Sequence, residues 1–98
     1  MNVISKPGLM NLLKGKSSDV AEETVEWYKK ARGANWRSLE DVRRSFPDAD
    51  QVGDVLIFNI SGNRYRLIVL QVFAKGKLYV KALLTHKEYD RKEWRKWA

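Results

Sequence analysis

The sequence predicts an α+β domain in which helices pack on one face of an antiparallel sheet and leave the other face open. Two observations lead to this prediction. Apolar side chains recur at helical spacing in the first half of the chain, whereas from Val55 onward apolar and polar side chains alternate with a period of two. A length of 98 residues is enough for one domain, residues 1–98, and 44% apolar residues are typical of a globular chain.

The N-terminal part is predicted to form a strand and two helices. Met1 to Ser5 alternates weakly, which predicts an edge strand, and Leu9 to Leu13 predicts a short helix. Asp19, with Glu22 three residues later, is the predicted N-cap of a longer helix that ends at Gly33. An apolar stripe at helical spacing is expected to face the sheet: Ala21, Val25, Tyr28 and Ala31.

A third helix is predicted before the sequence changes its period. Ser38 together with Asp41 indicates a helix start, and Pro47 follows the end of this helix. Trp27 and Trp36 are expected either in the helical core or on a surface that a partner covers.

The C-terminal half is predicted to form three strands and a final helix. Two turns, each with a glycine, separate the strands, so consecutive hairpins form an antiparallel meander. The last helix is expected to begin near Thr85 and to run to the end of the chain. The predicted strands are Val55 to Ile60, Arg64 to Phe73 and Leu78 to Leu84.

The charge of the chain indicates a polyanionic partner. The net charge is +7, and residues 1–50 hold nine basic and eight acidic side chains against ten and four in residues 51–98. This asymmetry favours docking of a nucleic acid on the C-terminal half; the alternative is a basic surface that serves solubility.

The absence of cysteine excludes disulfides and thiolate zinc sites. No apolar run is long enough to span a membrane and no signal peptide is visible, so we expect a cytoplasmic protein.

Two arginines are candidates for phosphate binding. In the second strand of the meander, Arg64, Arg66 and Ile68 are predicted to share one face, and Asn59 lies close across the hairpin. A guanidinium group matches phosphate oxygens with two parallel hydrogen bonds. The structural alternative is an exposed sheet face with ordinary surface charges.

The start of the last helix provides candidates for acid–base chemistry. Thr85 and Glu88 have the spacing of a capping box, which puts His86 at the first helical position and Tyr89 near the end of the first turn. Imidazole can exchange protons near neutral pH. His86 is the only histidine, so a mechanism with two histidines is impossible, and a lone histidine without cysteines argues against a transition-metal site. Alternatively, His86 is a capping or surface residue.

The tail after Asp90 mixes cations and tryptophans. We expect Trp94 to dock the terminal helix onto the core, although tryptophans beside cations can also stack on nucleobases; the role of Trp97 stays open. The cations expected to contact RNA are Arg91, Lys92, Arg95 and Lys96.

Two ordered motifs resemble those of a known family, the HigB-type toxins. The segment Phe58–Leu67 resembles the family's central motif, FNIxGNxYRL, and Thr85–Asp90 resembles its closing motif, THxEYD. The start, Val3–Lys6, and the stretch from Trp36 to Pro47 also fit. The resemblance covers about residues 2–90; the tail beyond Asp90 departs from the family pattern.

The resemblance implies a RelE-like α+β fold and an endonuclease that cuts messenger RNA, usually in the ribosomal A site. It implies metal-free transphosphorylation without a cofactor, in which the 2′-hydroxyl attacks phosphorus and the 5′-oxygen leaves. It also implies a cognate HigA-like antitoxin with a helix-turn-helix and is compatible with an assembly of several toxin and antitoxin copies, whose symmetry stays open. The lack of a spanning segment predicts no membrane partner.

By the same resemblance, Arg66 matches the family's phosphate-binding arginine, and His86 and Tyr89 match the acid–base or orienting groups of the closing motif. Lys87 and Asp90 are expected to assist these groups, and Asp90 is also expected to contact RNA. Arg64 occupies a position that the family fills less strictly with a basic residue. Two rival functions stay open: a domain that binds RNA or the ribosome without cutting, and a toxin directed at DNA gyrase, as in the related ParE-type toxins.

Overall fold

The computed structural model describes residues 1–5 and 8–98 of the chain. Lys6, part of the N-terminal segment of the family resemblance, lies outside these residues. The described strands are β1 (Asn2–Ser5), β2 (Asp50–Val52), β3 (Val55–Ile60), β4 (Tyr65–Val72) and β5 (Lys77–Thr85). The described helices are α1 (Leu9–Leu13), α2 (Ser18–Gly33), α3 (Leu39–Ser45) and α4 (His86–Asp90), with 3₁₀ helices at Phe73–Lys75 and Glu93–Trp97.

The sheet is mixed rather than purely antiparallel. Its five strands lie in the order β1-β5-β4-β3-β2. Strands β2 to β5 pair antiparallel, and β1 pairs in parallel with β5. The predicted meander is confirmed as β3, β4 and β5, and β1 is an edge strand as predicted. The additional strand β2 is absent from the prediction because its three residues include one apolar side chain, too few to show alternation.

Helices α1 to α3 cover one face of the sheet, which we call the helix side. The ring of Phe58 forms the centre of this core, with ring centroids 5.2 Å from Trp27, 5.3 Å from Phe46 and 6.1 Å from Trp36. Trp27 and Trp36 are 1% and 3% exposed. Of the two sequence-based alternatives for these tryptophans, the helical core is therefore confirmed.

The start and the buried stripe of α2 differ from the prediction. The N-cap is Ser17 rather than Asp19, and the Ser17 hydroxyl donates a hydrogen bond to the Asp19 carboxylate. The predicted side chains other than Ala31 are only half-buried at the edge of the helix-side core. The side chains of α2 that are buried include a threonine and a tryptophan, and a search for apolar residues at helical spacing gives little weight to either. The buried residues are Val20, Thr24, Trp27 and Ala31.

The opposite face, which we call the tail side, carries its own smaller apolar cluster, so the prediction of helices on one face only is wrong. Trp94 is 3% exposed and is one of the buried members of this cluster, which confirms the predicted docking of Trp94. The other fully buried members come from the two central strands: Val55, Ile57 and Ile68.

The chain reaches the tail side because the last helix is short. Helix α4 ends at Asp90 rather than at the end of the chain, and Lys92 adopts a left-handed conformation with φ 62°. This turn starts the 3₁₀ helix Glu93–Trp97. No helix in the described part of the chain is long and apolar enough to cross a membrane.

A bulge in β5 supplies side chains to both clusters. Neighbouring residues of β4 pair with Ala82 and Val80, so Lys81 has no partner opposite it. Leu78 and Val80 therefore belong to the helix-side core, whereas Ala82 and Leu84 belong to the tail-side cluster. A strand without the bulge would turn all four side chains to the same face.

Candidate active site

Arg66 lies on the tail side, close to the start of β4. In the register of the sheet it is opposite Asn59 on β3 and Leu84 on β5, which confirms the predicted proximity of Asn59. Ile68, two residues further along the same face, is completely buried. Arg66 is only half-buried and so lies at the border of the tail-side cluster.

The guanidinium group of Arg66 has no carboxylate partner within the described residues. Its Cζ atom lies 5.5 Å from the centroid of the Tyr89 ring, within the range of a cation–π contact. Its Nη1 donates a hydrogen bond to the Tyr65 carbonyl oxygen at 3.3 Å. None of the ion pairs formed among residues 1–5 and 8–98 involves Arg66. The remaining donors of the guanidinium are therefore available to a phosphate.

The predicted capping box at the start of α4 is confirmed. The Thr85 hydroxyl accepts a hydrogen bond from the Glu88 amide at 3.1 Å, and the Thr85 amide donates to the Glu88 carboxylate at 2.9 Å. The amide of His86 donates to the Arg64 carbonyl at 3.2 Å, which ties the helix start to the β3–β4 turn. These bonds place His86 and Tyr89, three positions apart, on neighbouring parts of one helix surface.

Glu88 is held in its charged form. The hydrogen bond from the Thr85 amide lowers the pKa of Glu88 below its ordinary value of 4.5, against a smaller opposing effect of burial. The Thr85 side chain and the charges of Lys16 and Arg91 lower it further. The capping box is therefore charged and intact at neutral pH.

His86 is paired with Asp90 across one turn of α4. The imidazole Nε2 lies 3.5 Å from a carboxylate oxygen of Asp90, and both side chains are about 60% exposed, at 59% and 62%. Asp90 thus lies beside the imidazole, a contact that the sequence prediction of an RNA-contacting Asp90 missed. The sequence did contain a sign of this contact, because residues four positions apart on a helix are neighbours on its surface. No cluster of three or more potential metal ligands occurs in the described part of the chain.

Arg64 points away from Arg66, so the prediction that they share a face is wrong. Arg64 lies in the turn before β4, where strand alternation does not apply. Its guanidinium lies 3.6 Å from the carboxylate of Asp19 on α2 and over the ring of Tyr65. The Ser17 hydroxyl, and to a smaller extent the charge of Arg64, lower the pKa of Asp19.

The other predicted cations lie on or beside the short C-terminal helices, and all are exposed. The Arg95 guanidinium lies over the Trp94 ring at 5.8 Å, and the Lys96 ammonium over the Trp97 ring at 4.9 Å. In both contacts, a face of the tryptophan ring is covered by a cation of the protein itself. The cations of this surface are Lys87, Arg91, Lys92, Arg95 and Lys96.

Comparison with known proteins assigns the family. A family model for HigB toxins, described as the RelE-like toxic component of a toxin-antitoxin system, matches residues 20–92. The chain belongs to the HigB toxin family. The resemblance inferred from the two motifs is thereby confirmed, and the predicted site residues from Asn59 to Lys92 lie inside the HigB match. Arg95 and Lys96 lie beyond it.

Curated HigB proteins are also similar to this chain. They include the "mRNA interferase toxin HigB" of Escherichia coli (strain K12) and the "mRNA interferase HigB" of Shigella flexneri. Each is 33% identical to this chain over 58 residues. The match covers 56% of this chain and 56% of each relative, so the chain spans little more than half the length of these relatives.

The charged capping box predicts how α4 responds to acid. Because the pKa of Glu88 is lowered, the stabilisation by its carboxylate is fully present above pH 4.5 and is lost as the pH falls through the lowered value. We expect the Thr85 amide proton to shift in NMR spectra between pH 6 and pH 3, about the range in which a carboxylate of this kind titrates, with a midpoint below 4.5. The variant Glu88→Gln should lack this transition, and a wild-type midpoint at or above 4.5 would contradict the capping geometry.

Proposed function

We propose that this protein is the toxin of a type II toxin–antitoxin system and an endoribonuclease that cuts messenger RNA. The observation that carries the proposal is the guanidinium of Arg66, which lies over Tyr89 beside the His86 helix and has no carboxylate partner among the described residues. Curated relatives with the name "mRNA interferase" support the choice of messenger RNA as substrate.

Arg66 is the proposed phosphate-binding residue. A guanidinium fork can form two parallel hydrogen bonds to phosphate oxygens, and these bonds strengthen as negative charge develops during attack by the 2′-hydroxyl. Arg64 is a weaker candidate for the same phosphate, because its guanidinium lies beside Asp19. We therefore assign Arg64 to a contact with the RNA backbone away from the cut, and Asn59, which lies opposite Arg66 on the tail side, to a contact beside it.

His86 and Tyr89 are the proposed acid–base groups. The reaction needs one group to take the proton of the 2′-hydroxyl and another to protonate the leaving 5′-oxygen. The ring of Tyr89 is already engaged by Trp94 and by Arg66, which favours proton transfer by its hydroxyl over stacking on a base. Asp90 orients His86, and Lys87, at the second position of α4, adds positive charge near the reacting phosphate.

The remaining cations form the proposed RNA-binding surface. Arg91, Lys92, Arg95 and Lys96 follow α4 directly and are exposed, so they can contact phosphates on both sides of the cut. Their charges account for much of the positive excess in the second half of the chain. A surface of this kind binds RNA with an affinity that falls as salt rises.

We also propose the setting in which the protein acts. The substrate is messenger RNA in the ribosomal A site, and cleavage takes place in the cytoplasm by a metal-independent reaction. A HigA-like antitoxin with a helix-turn-helix silences the toxin, and several copies of both proteins assemble. The family description, a toxic component of a toxin-antitoxin system, supports the antitoxin partner.

A map of RNA 5′ ends tests the proposed function. After brief induction in bacteria, the wild-type chain should produce new 5′ ends inside coding regions, in register with codons, and Arg66→Ala should produce none. Arg44→Ala is the matched control, since it removes the same charge from α3, where Arg44 is paired with Asp41. Growth arrest without new ends would contradict cleavage and favour a binding or gyrase-directed toxin.

The Tyr89 hydroxyl can be tested separately from its ring. Tyr89→Phe keeps the ring against Trp94 and Arg66 and removes only the hydroxyl. We expect the cleavage rate of ribosome-bound message to fall by about 10²- to 10⁴-fold, with the midpoint of thermal unfolding unchanged. A wild-type rate in Tyr89→Phe would rule out proton transfer by Tyr89.

A further inference from the structure

We propose that Trp94 is a positioning residue: it fixes Tyr89, and through Tyr89 the guanidinium of Arg66, in the geometry needed for cleavage. The family match ends at residue 92, so this brace belongs to a part of the chain that the family model does not reach. The inference rests on the proposed function and adds to it a requirement for the C-terminal 3₁₀ helix.

The indole of Trp94 is held firmly in place. Its side chain is 3% exposed and packs in the tail-side cluster against the sheet. Its Nε1 donates a hydrogen bond to the carbonyl oxygen of Tyr89 at 3.0 Å. Burial and this bond together leave the ring little freedom to change rotamer.

This fixed ring forms one side of the site. The rings of Trp94 and Tyr89 are nearly parallel, with an angle of 4° and centroids 5.1 Å apart. Arg66 in turn lies over Tyr89. The three side chains therefore form a continuous stack that runs from the buried cluster to the half-exposed guanidinium.

Helix α4 needs such a brace because it is short. It contains five residues, and a helix of this length is not stable by itself in water. Its capping box secures the first turn, but Tyr89 lies near the other end. The contacts with Trp94 hold that end against the sheet.

The 3₁₀ helix that carries Trp94 is itself anchored at both ends. It starts at the left-handed turn of Lys92 and ends against the β2–β3 turn. There the chain passes so close to Gly53 that an added Cβ atom would lie 2.9 Å from the carbonyl carbon of Ala98. The position of Trp94 is thus set by the fold rather than by local helix geometry alone.

Two variants of Trp94 and one control test the positioning role. Trp94→Leu keeps an apolar side chain in the cluster but removes the stack, whereas Trp94→Phe keeps an aromatic face and loses the indole hydrogen bond together with part of the ring. Val55→Ala is the control: Val55 is fully buried in the same cluster and lies outside the stack. We expect it to destabilise the fold and to leave the Trp94–Tyr89–Arg66 stack in place.

The first measurement is independent of activity. The Nε–Hε resonance of Arg66, assigned by its absence in Arg66→Lys, reports the guanidinium position over the Tyr89 ring. We expect it to move in Trp94→Leu, to move less in Trp94→Phe, and to stay in place in Val55→Ala. An unmoved Arg66 resonance in Trp94→Leu would overturn the proposal.

The second measurement is the kinetics of cleavage of ribosome-bound message. Trp94→Leu should lower kcat by about 100-fold with little change in KM, because the contacts to the rest of the message remain. Trp94→Phe should recover most of the rate. An equal loss in Val55→Ala at matched loss of thermal stability would overturn the positioning role. Failure of the wild type to cut any message would instead refute the proposed function, and the NMR result would still decide whether Trp94 positions Arg66.

Discussion

The burial of β4 on both faces is the constraint on which the rest of the structure depends. Leu67, Ile68 and Val69 are consecutive and each is fully buried, so β4 must have an apolar layer on either side. A shift of this strand by one residue would exchange its two faces and turn the side chain of Arg66 toward the helices. The position of the phosphate-binding candidate is therefore fixed by the same packing that stabilises the sheet.

The two apolar layers contribute differently to the protein. The helix-side core is large and rich in aromatic contacts, and it holds the sheet together. The tail-side cluster is small, and one of its buried members, Trp94, also contacts the candidate catalytic group Tyr89. Changes at Trp94 should therefore affect activity at a smaller cost in stability than changes in the helix-side core.

Much of this arrangement could be predicted from the sequence, and the misses have local physical causes. Period-two alternation gave the meander, and the spacing of Thr85 and Glu88 gave the capping box that places His86. Alternation failed for Arg64, because this residue lies in a turn and pairs with a distant helix. The end of α4 carries no glycine or proline, since Lys92 itself adopts the left-handed conformation. The sequence therefore did not predict that the chain turns onto the tail side after α4, although it did predict the docking of Trp94.

The most direct test of the central claim, cleavage by 2′-hydroxyl attack at the Arg66 site, is the chemistry of the products made by the purified protein. Ribosomes would be programmed with a message and with the same message carrying one 2′-deoxynucleotide on the 5′ side of the cut. We expect a 2′,3′-cyclic phosphate and a 5′-hydroxyl from the first message and no cut at that position in the second. Products with a 3′-hydroxyl and a 5′-phosphate, or undiminished cleavage of the deoxy-substituted message, would contradict it.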